Sequence, residues 1–173
     1  FTDVLLRRGA ESVIAVDVGY GQLAWALRED PRVHVLDRTN ARTLDADMLP
    51  LVPDFAVMDV SFISSGLVWP AVARCLAPAY RALVMVKPQF EVGRENIGSG
   101  GVVRDLALRH DAVMGVASAV VATGGRVAGA VDSGTPGPKG NREVFLLVHG
   151  PGRDAPDVDV AAVVQAAVAE GAE

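Results

Sequence analysis

"RVAGAVDSGTPGPKGNREVFLLVHG", residues 126–150, holds two strand patterns with no helix between them. The outer segments are rich in valine, leucine and phenylalanine. The connection "GTPGPKGN" is made of residues that favour turns. A parallel pair needs a crossover of a dozen or more residues, so two strands joined this briefly pair antiparallel. The stretch therefore predicts a hairpin at one edge of a sheet.

Upstream of it, strand and helix patterns alternate. "FTDVLLRRGA" (1–10) reads as a helix closed by Gly9, and "SVIAVDV" (12–18) as a strand ending at Asp17. "GQLAWALRED" reads as a helix stopped by Pro31, and "RVHVLD" as a strand. Residues 44–52 form a connection with room for one helical turn. "DFAVMDV" is a strand ending at Asp59, and "SSGLVWPAVARCLAP" a helix with Pro70 near its first turn. "YRALVMVK" is a strand ending on Lys87, and 88–103 a glycine-rich loop. A helix spans about 105–122, where Val113, Val116, Ala117, Val120 and Val121 recur at helical spacing and give one apolar face. After Pro151 the chain is loose until an alanine- and valine-rich helix near 158–169. Trp25 and Trp69 read as packing residues.

This alternation predicts an α/β fold: a doubly wound, mostly parallel sheet covered on both faces, with the antiparallel hairpin at its carboxyl-terminal end. Such sheets bind ligands outside the carboxyl ends of their strands. Asp17, Asp59 and Lys87 all fall at such ends.

Composition narrows the function. The chain has 173 residues, half of them apolar, a mean hydropathy of +0.30 and a net charge of −5. These values describe a globular chain rather than a disordered one, and argue against binding nucleic acid through bulk charge. The single cysteine, Cys75, excludes an internal disulfide, and three scattered histidines show no ligand spacing, so no metal is expected. No apolar stretch is long enough to span a bilayer and no signal sequence opens the chain, so the cytoplasm is the expected location.

Only two residues are lysines, Lys87 and Lys139. A lysine closing an apolar strand is either a proton acceptor, when desolvated, or a snorkelling side chain. Asp59 either partners another group or caps the next helix. Asp17 suits a ribose diol, as in dinucleotide folds, or starts a helix. "GYGQLAW" contains G-x-G without the third glycine, a weak dinucleotide signal that gives a nicotinamide enzyme no positive support. Glu143, taken alone, reads as a solvated charge opening a strand. Arg94, Arg104, Lys139 and Arg142 lie in or beside the two glycine-rich loops, where they either contact phosphates or are simply solvated.

"VDVGYGQLAW", "RTNAR", "DVSFIS", "VKPQFEVGR…GGVVRD" and "GPKGNREVFL", in this order, resemble the TlyA family of hemolysin-like ribosomal RNA 2′-O-methyltransferases, a branch of the FtsJ-like class-I enzymes with a Rossmann-like fold. The resemblance runs from Phe1 to about Val148. It implies a methyltransferase domain over 1–150, with 151–173 as a tail carrying a short helix. It implies S-adenosylmethionine as cofactor and ribosomal RNA or a ribosomal subunit as partner. It implies a Lys-Asp-Lys-Glu tetrad in which Asp59, Lys87 and Glu143 match the last three members. Asp17, Val18, Asn40 and Asp59 match cofactor-binding positions.

The family's glycine-rich cofactor motif, first strand and first tetrad lysine lie ahead of the segment matched by Phe1. The expected place of that strand is the centre of the sheet, between the strands ending at Asp17 and Asp59. Without it, a gap in the core, poor cofactor binding and no measurable catalysis are expected. A non-catalytic RNA- or ribosome-binding relative on the same fold is the alternative, and a membrane-acting hemolysin a minor one.

Overall fold

The computed structural model describes residues 1–171. Among the described residues there are six strands and six α-helices, which alternate over most of the chain. The first strands are β1 (Val13–Val16), β2 (Val33–Leu36) and β3 (Phe55–Met58). They are followed by β4 (Arg81–Val86), β5 (Arg126–Asp132) and β6 (Val144–His149). β1 and β2 pair in parallel as one sheet, and the second sheet has the order β3-β4-β6-β5. β3 and β4 are parallel, whereas β6 runs antiparallel to both β4 and β5. The hairpin predicted from residues 126–150 is thus present, with β6 inserted beside β4 and β5 left as the edge.

α1 (Thr2–Arg7) leads into β1, and α2 (Trp25–Arg28) lies between β1 and β2. α3 (Ser65–Ala73) connects β3 to β4, and the single turn α4 (Pro88–Glu91) follows β4. α5 (Leu106–Ala122) precedes β5 and α6 (Val160–Glu170) follows β6. The core lies between β4, β5, β6 and helices α3, α5 and α6. Val84, Val86, Leu146 and Val148 from the sheet meet Val68, Trp69, Val113, Val116, Val120, Val164 and Val168, all essentially inaccessible. Trp69 donates its indole N–H to Thr123 Oγ1 at 2.9 Å and sets its ring edge-on against Tyr80. α6 buries Val164, Ala167 and Val168 in this same core.

Three local expectations change. The helix expected over residues 21–30 contracts to Trp25–Arg28, too short to bury a face, and Trp25 is 74% exposed rather than packed. Val121 lies off the buried stripe of α5 and is exposed. α3 starts at Ser65, whose predecessor Ser64 caps it through Leu67 N, so Pro70 falls in the middle of the helix rather than in its first turn. The connection after β2 holds two short 3-10 turns, Ala41–Thr43 and Ala46–Met48.

β1 and β3 belong to separate sheets and share no ladder. Between them lies a cavity of about 940 Å³. Both strands line it along their whole length, with Leu5 of α1 and Val68, Val72 and Leu76 from and just beyond α3. This is the gap expected between the strands ending at Asp17 and Asp59.

Candidate active site

β3 and β4 are parallel neighbours in register, Met58 opposite Val84. Their carboxyl ends therefore open side by side, and the first polar residues after them meet. Lys87 Nζ lies 2.7 Å from Asp59 Oδ1 and donates to Ser61 Oγ at 3.1 Å. The lysine side chain is only 13% exposed, the aspartate 37%. Both charges thus have a partner at a strand end where solvent still reaches the acid, which replaces the snorkelling and helix-capping readings of these two residues.

The turn that carries Lys87 also carries other polar contacts. Lys87 is the N-cap of α4 and Pro88 its first residue, where a missing N–H costs nothing. Gln89 Nε2 donates to Glu143 Oε1 at 3.3 Å. Glu143 is 8% exposed, so it is not the solvated strand-end charge its sequence position suggests. It sits just before β6, next to β4, and reaches the Lys87 turn through Gln89 rather than through an ion pair of its own. Glu91 closes α4, accepting from Ser64 Oγ at 2.5 Å and from Ser65 N at 2.7 Å. Burial pushes its carboxyl above the usual range, and the hydrogen bonds from Ser64 and Ser65 offset this only in part.

Phe62, next to Ser61, has φ +63° and a 92% exposed ring. A non-glycine residue in the left-handed region costs about 1–2 kcal/mol, and an exposed phenylalanine repays none of it by burial. Among the described residues its only aromatic neighbour is Phe90 of α4, with ring centroids 5.2 Å apart. The ring therefore lies one residue beyond Ser61 with most of its surface open.

At the end of β1, Asp17 is exposed and its Oδ1 accepts from Gly19 N at 2.7 Å. Its Oδ2 has no partner among the described residues. Asp17, Gln22, Asp37 and Asp59 line the carboxyl-end side of the cavity between β1 and β3. Val18 beside Asp17 is 73% exposed. Asn40 uses Oδ1 to cap the turn at Arg42 N, 3.0 Å, which leaves its amide N–H groups directed elsewhere. Asp17 and Asp59 thus line the cavity, whereas Val18 and Asn40 do not. Among the described residues no cluster of three or more His, Cys, Asp or Glu has the geometry for a metal ion.

Arg94, Arg104 and Lys139 are exposed and Arg142 is half-buried. Their two loops are joined by Asn141, a buried residue the sequence reading passed over. Its Oδ1 accepts from Val103 N at 3.0 Å and its Nδ2 donates to Gly101 O at 2.8 Å. Ser61, Gln89 and Glu91 were also missed as individual residues. They lie inside the quoted "DVSFIS" and "KPQFEVG" stretches, but only the folded chain shows what each one touches.

The whole chain matches solved structures. A hemolysin-named protein from Streptococcus thermophilus superposes with a TM-score of 0.90 at 40% identity, covering 99% of this chain and 62% of that one. The 16S/23S rRNA (cytidine-2′-O)-methyltransferase TlyA of Mycobacterium tuberculosis is 51% identical over 149 residues, 86% of this chain and 56% of the relative. Hemolysin A of Brachyspira hyodysenteriae is 36% identical over 150 residues, 86% of this chain and 62% of that protein. The chain thus spans about three-fifths of the length of the curated relatives it matches. The FtsJ-like methyltransferase family matches residues 1–150, which include every strand and the Lys87–Asp59 pair. The chain belongs to the FtsJ-like methyltransferase family.

Proposed function

We propose that this chain is the catalytic domain of an S-adenosylmethionine-dependent methyltransferase that modifies the 2′-hydroxyl of a ribose in ribosomal RNA. The observation that carries this reading is the Lys87–Asp59 contact at the carboxyl ends of two parallel strands, 2.7 Å, in a chain of the FtsJ-like family. The 51% identity to a named rRNA (cytidine-2′-O)-methyltransferase supports ribosomal RNA as the substrate class.

S-adenosylmethionine, when bound, supplies an electrophilic methyl group. Asp17 would hold the ribose of this cofactor, with Val18 and Asn40 beside its base and Asp59 at the methyl end of the site. A ribose hydroxyl is a poor nucleophile until its proton is taken. Lys87 accepts that proton after releasing the one it shares with Asp59 in the ion pair, while Asp59 and Ser61 fix where its nitrogen sits. The ribose oxygen would then be free to take the methyl group that the bound cofactor supplies, and its proton would remain on Lys87. Glu143, held by Gln89, faces the same turn and completes the polar surround. Phe62 offers an open ring on which a base unstacked from RNA can lie, and such stacking is worth about 1–3 kcal/mol per base. Arg94, Arg104, Lys139 and Arg142 hold the phosphates on either side.

The test is to incubate the protein with ribosomal subunits and labelled S-adenosylmethionine, digest the RNA and identify the labelled nucleoside. A 2′-O-methyl nucleoside supports the reading. Label on a base, or none from a folded protein that carries its upstream residues, would refute it.

A further inference from the structure

Two chain segments meet at the Lys87–Asp59 pair, and each continues to a second meeting point. The first segment runs from Asp59 and Ser61 to Ser64 and Ser65 at the start of α3. The second runs from Lys87 to Glu91 across the single turn α4. Lys87 binds Asp59 and Ser61, and Glu91 binds Ser64 and Ser65. The Phe62 and Phe90 rings touch between these two tethers. The result is a closed frame with an ion pair at one end and a carboxylate clamp at the other.

We propose that Glu91 is a positioning residue for the reaction: it fixes where the Lys87 amine sits by locking α4 against the start of α3. This rests on the methyltransferase reading for its catalytic consequence but not for its geometry. Capping accounts for only part of the contact, namely the bond from Ser65 N at the first turn of α3. Ser64 already caps α3 with its own hydroxyl, at Leu67 N. Ser65 in turn donates Oγ to Met85 O, the backbone of β4 two residues before Lys87, at 3.2 Å. Glu91 therefore returns to the strand that carries the lysine, by way of Ser65. Lysine has a flexible four-carbon stem, so its nitrogen is held in one place only if the backbone beneath it is held as well. A displacement of about 1 Å in such a site is enough to cost about a hundredfold in rate.

The chain contains only two lysines, which permits a direct readout. Lysine labelled with ¹³C at Cε gives two resonances, assigned by Lys139→Arg. Glu91→Ala is expected to move the Lys87 resonance toward that of exposed Lys139 and to leave Lys139 unmoved. Glu91→Gln keeps an acceptor for Ser65 N and puts an amide N–H where Ser64 Oγ now donates, so that this hydrogen bond can form in the opposite direction, and is expected to hold Lys87 near its wild-type signal. In methyl transfer, Glu91→Ala is expected to lower kcat about 30- to 100-fold with KM for S-adenosylmethionine changed less than about twofold. Glu91→Gln should recover most of that loss.

An unchanged Lys87 resonance in folded Glu91→Ala overturns the proposal, as does an equal loss in Glu91→Gln. Should Glu91→Ala lose cooperative unfolding, Glu91→Asp, which keeps the charge and shortens the reach, decides by the same resonance. Methyl transfer is read on a form extended upstream of Phe1 and the resonances on this chain, so an inactive extended wild type refutes the enzyme reading alone, because the Lys87 resonance still decides the positioning role.

Discussion

The cavity between β1 and β3 leads to a quantitative expectation about stability. Each strand presents one unpaired edge of four residues to a space of about 940 Å³ with apolar walls. α1 enters β1 directly, so a strand placed ahead of α1 and laid into the gap would complete a parallel β-α-β unit on the side where an edge is open. Four residues span about 13 Å, the length of the open edges. Burying four aliphatic side chains there is worth about 6–12 kcal/mol. Ordering four residues costs about 6 kcal/mol, and each backbone bond made to an open edge adds about 0.5–1.5 kcal/mol. The midpoint is a net gain of about 3 kcal/mol before backbone pairing, which for a domain of this size raises Tm by about 6–12 °C. The strand would also fix the spacing of Asp17 and Asp59, so affinity for S-adenosylmethionine should rise with it. The assay compares thermal unfolding and cofactor titration of this chain with a form extended upstream of Phe1. Equal Tm within about 2 °C and equal affinity would show that the cavity is not a place for a strand.

The extended form serves for the cofactor and RNA tests as well. Asp17→Asn keeps the Gly19 turn but removes the charge that would meet a ribose diol, so S-adenosylmethionine affinity should fall about 10- to 150-fold by titration calorimetry with little change in Tm. Phe62→Ala should weaken RNA binding by about 1–3 kcal/mol in a filter assay while leaving Tm unchanged, because the exposed ring stabilises little. Glu91 has its carboxyl raised by burial, so between its unfolded and folded values the folded chain holds the extra proton. Stability therefore falls as pH rises through that window. Urea midpoints measured from about pH 4.5 to 7 should decline less steeply in Glu91→Gln than in wild type. Parallel slopes would contradict this.

Much of the fold was legible in local pattern. β4 and β6 are apolar runs bounded by turn residues, and "GTPGPKGN" permits no helix, so the antiparallel pair followed from composition. The short helix α2 was not legible at its true length: "GQLAWALRED" is helix-compatible throughout, but nothing packs on Trp25 to stabilise more than one turn. Val121 fell outside the buried stripe for a similar reason, since α5 turns only part of its apolar surface to the sheet.

The site divides in the same way. The placement of Asp17, Asp59 and Lys87 at strand ends was legible because alternating strands and helices put the carboxyl ends of parallel strands on one side of the sheet. The burial of Glu143 was not, because it depends on Gln89, 54 residues away, and on how β6 enters beside β4. The left-handed backbone at Phe62 had no sequence signal either, since phenylalanine is not a residue that favours it.

The amine ending β4 is assigned a part in the chemistry. The most direct measurement is methyl transfer to ribosomal subunits by the extended wild-type protein and by Lys87→Ala, with S-adenosylmethionine binding measured in parallel. General-base catalysis contributes about 10²- to 10⁴-fold, whereas a partly exposed ion pair contributes about 0–1 kcal/mol to stability. The account predicts that Lys87→Ala loses at least a hundredfold in transfer while cofactor affinity and Tm barely change. Transfer within about threefold of wild type, or a loss that merely follows unfolding, would contradict it.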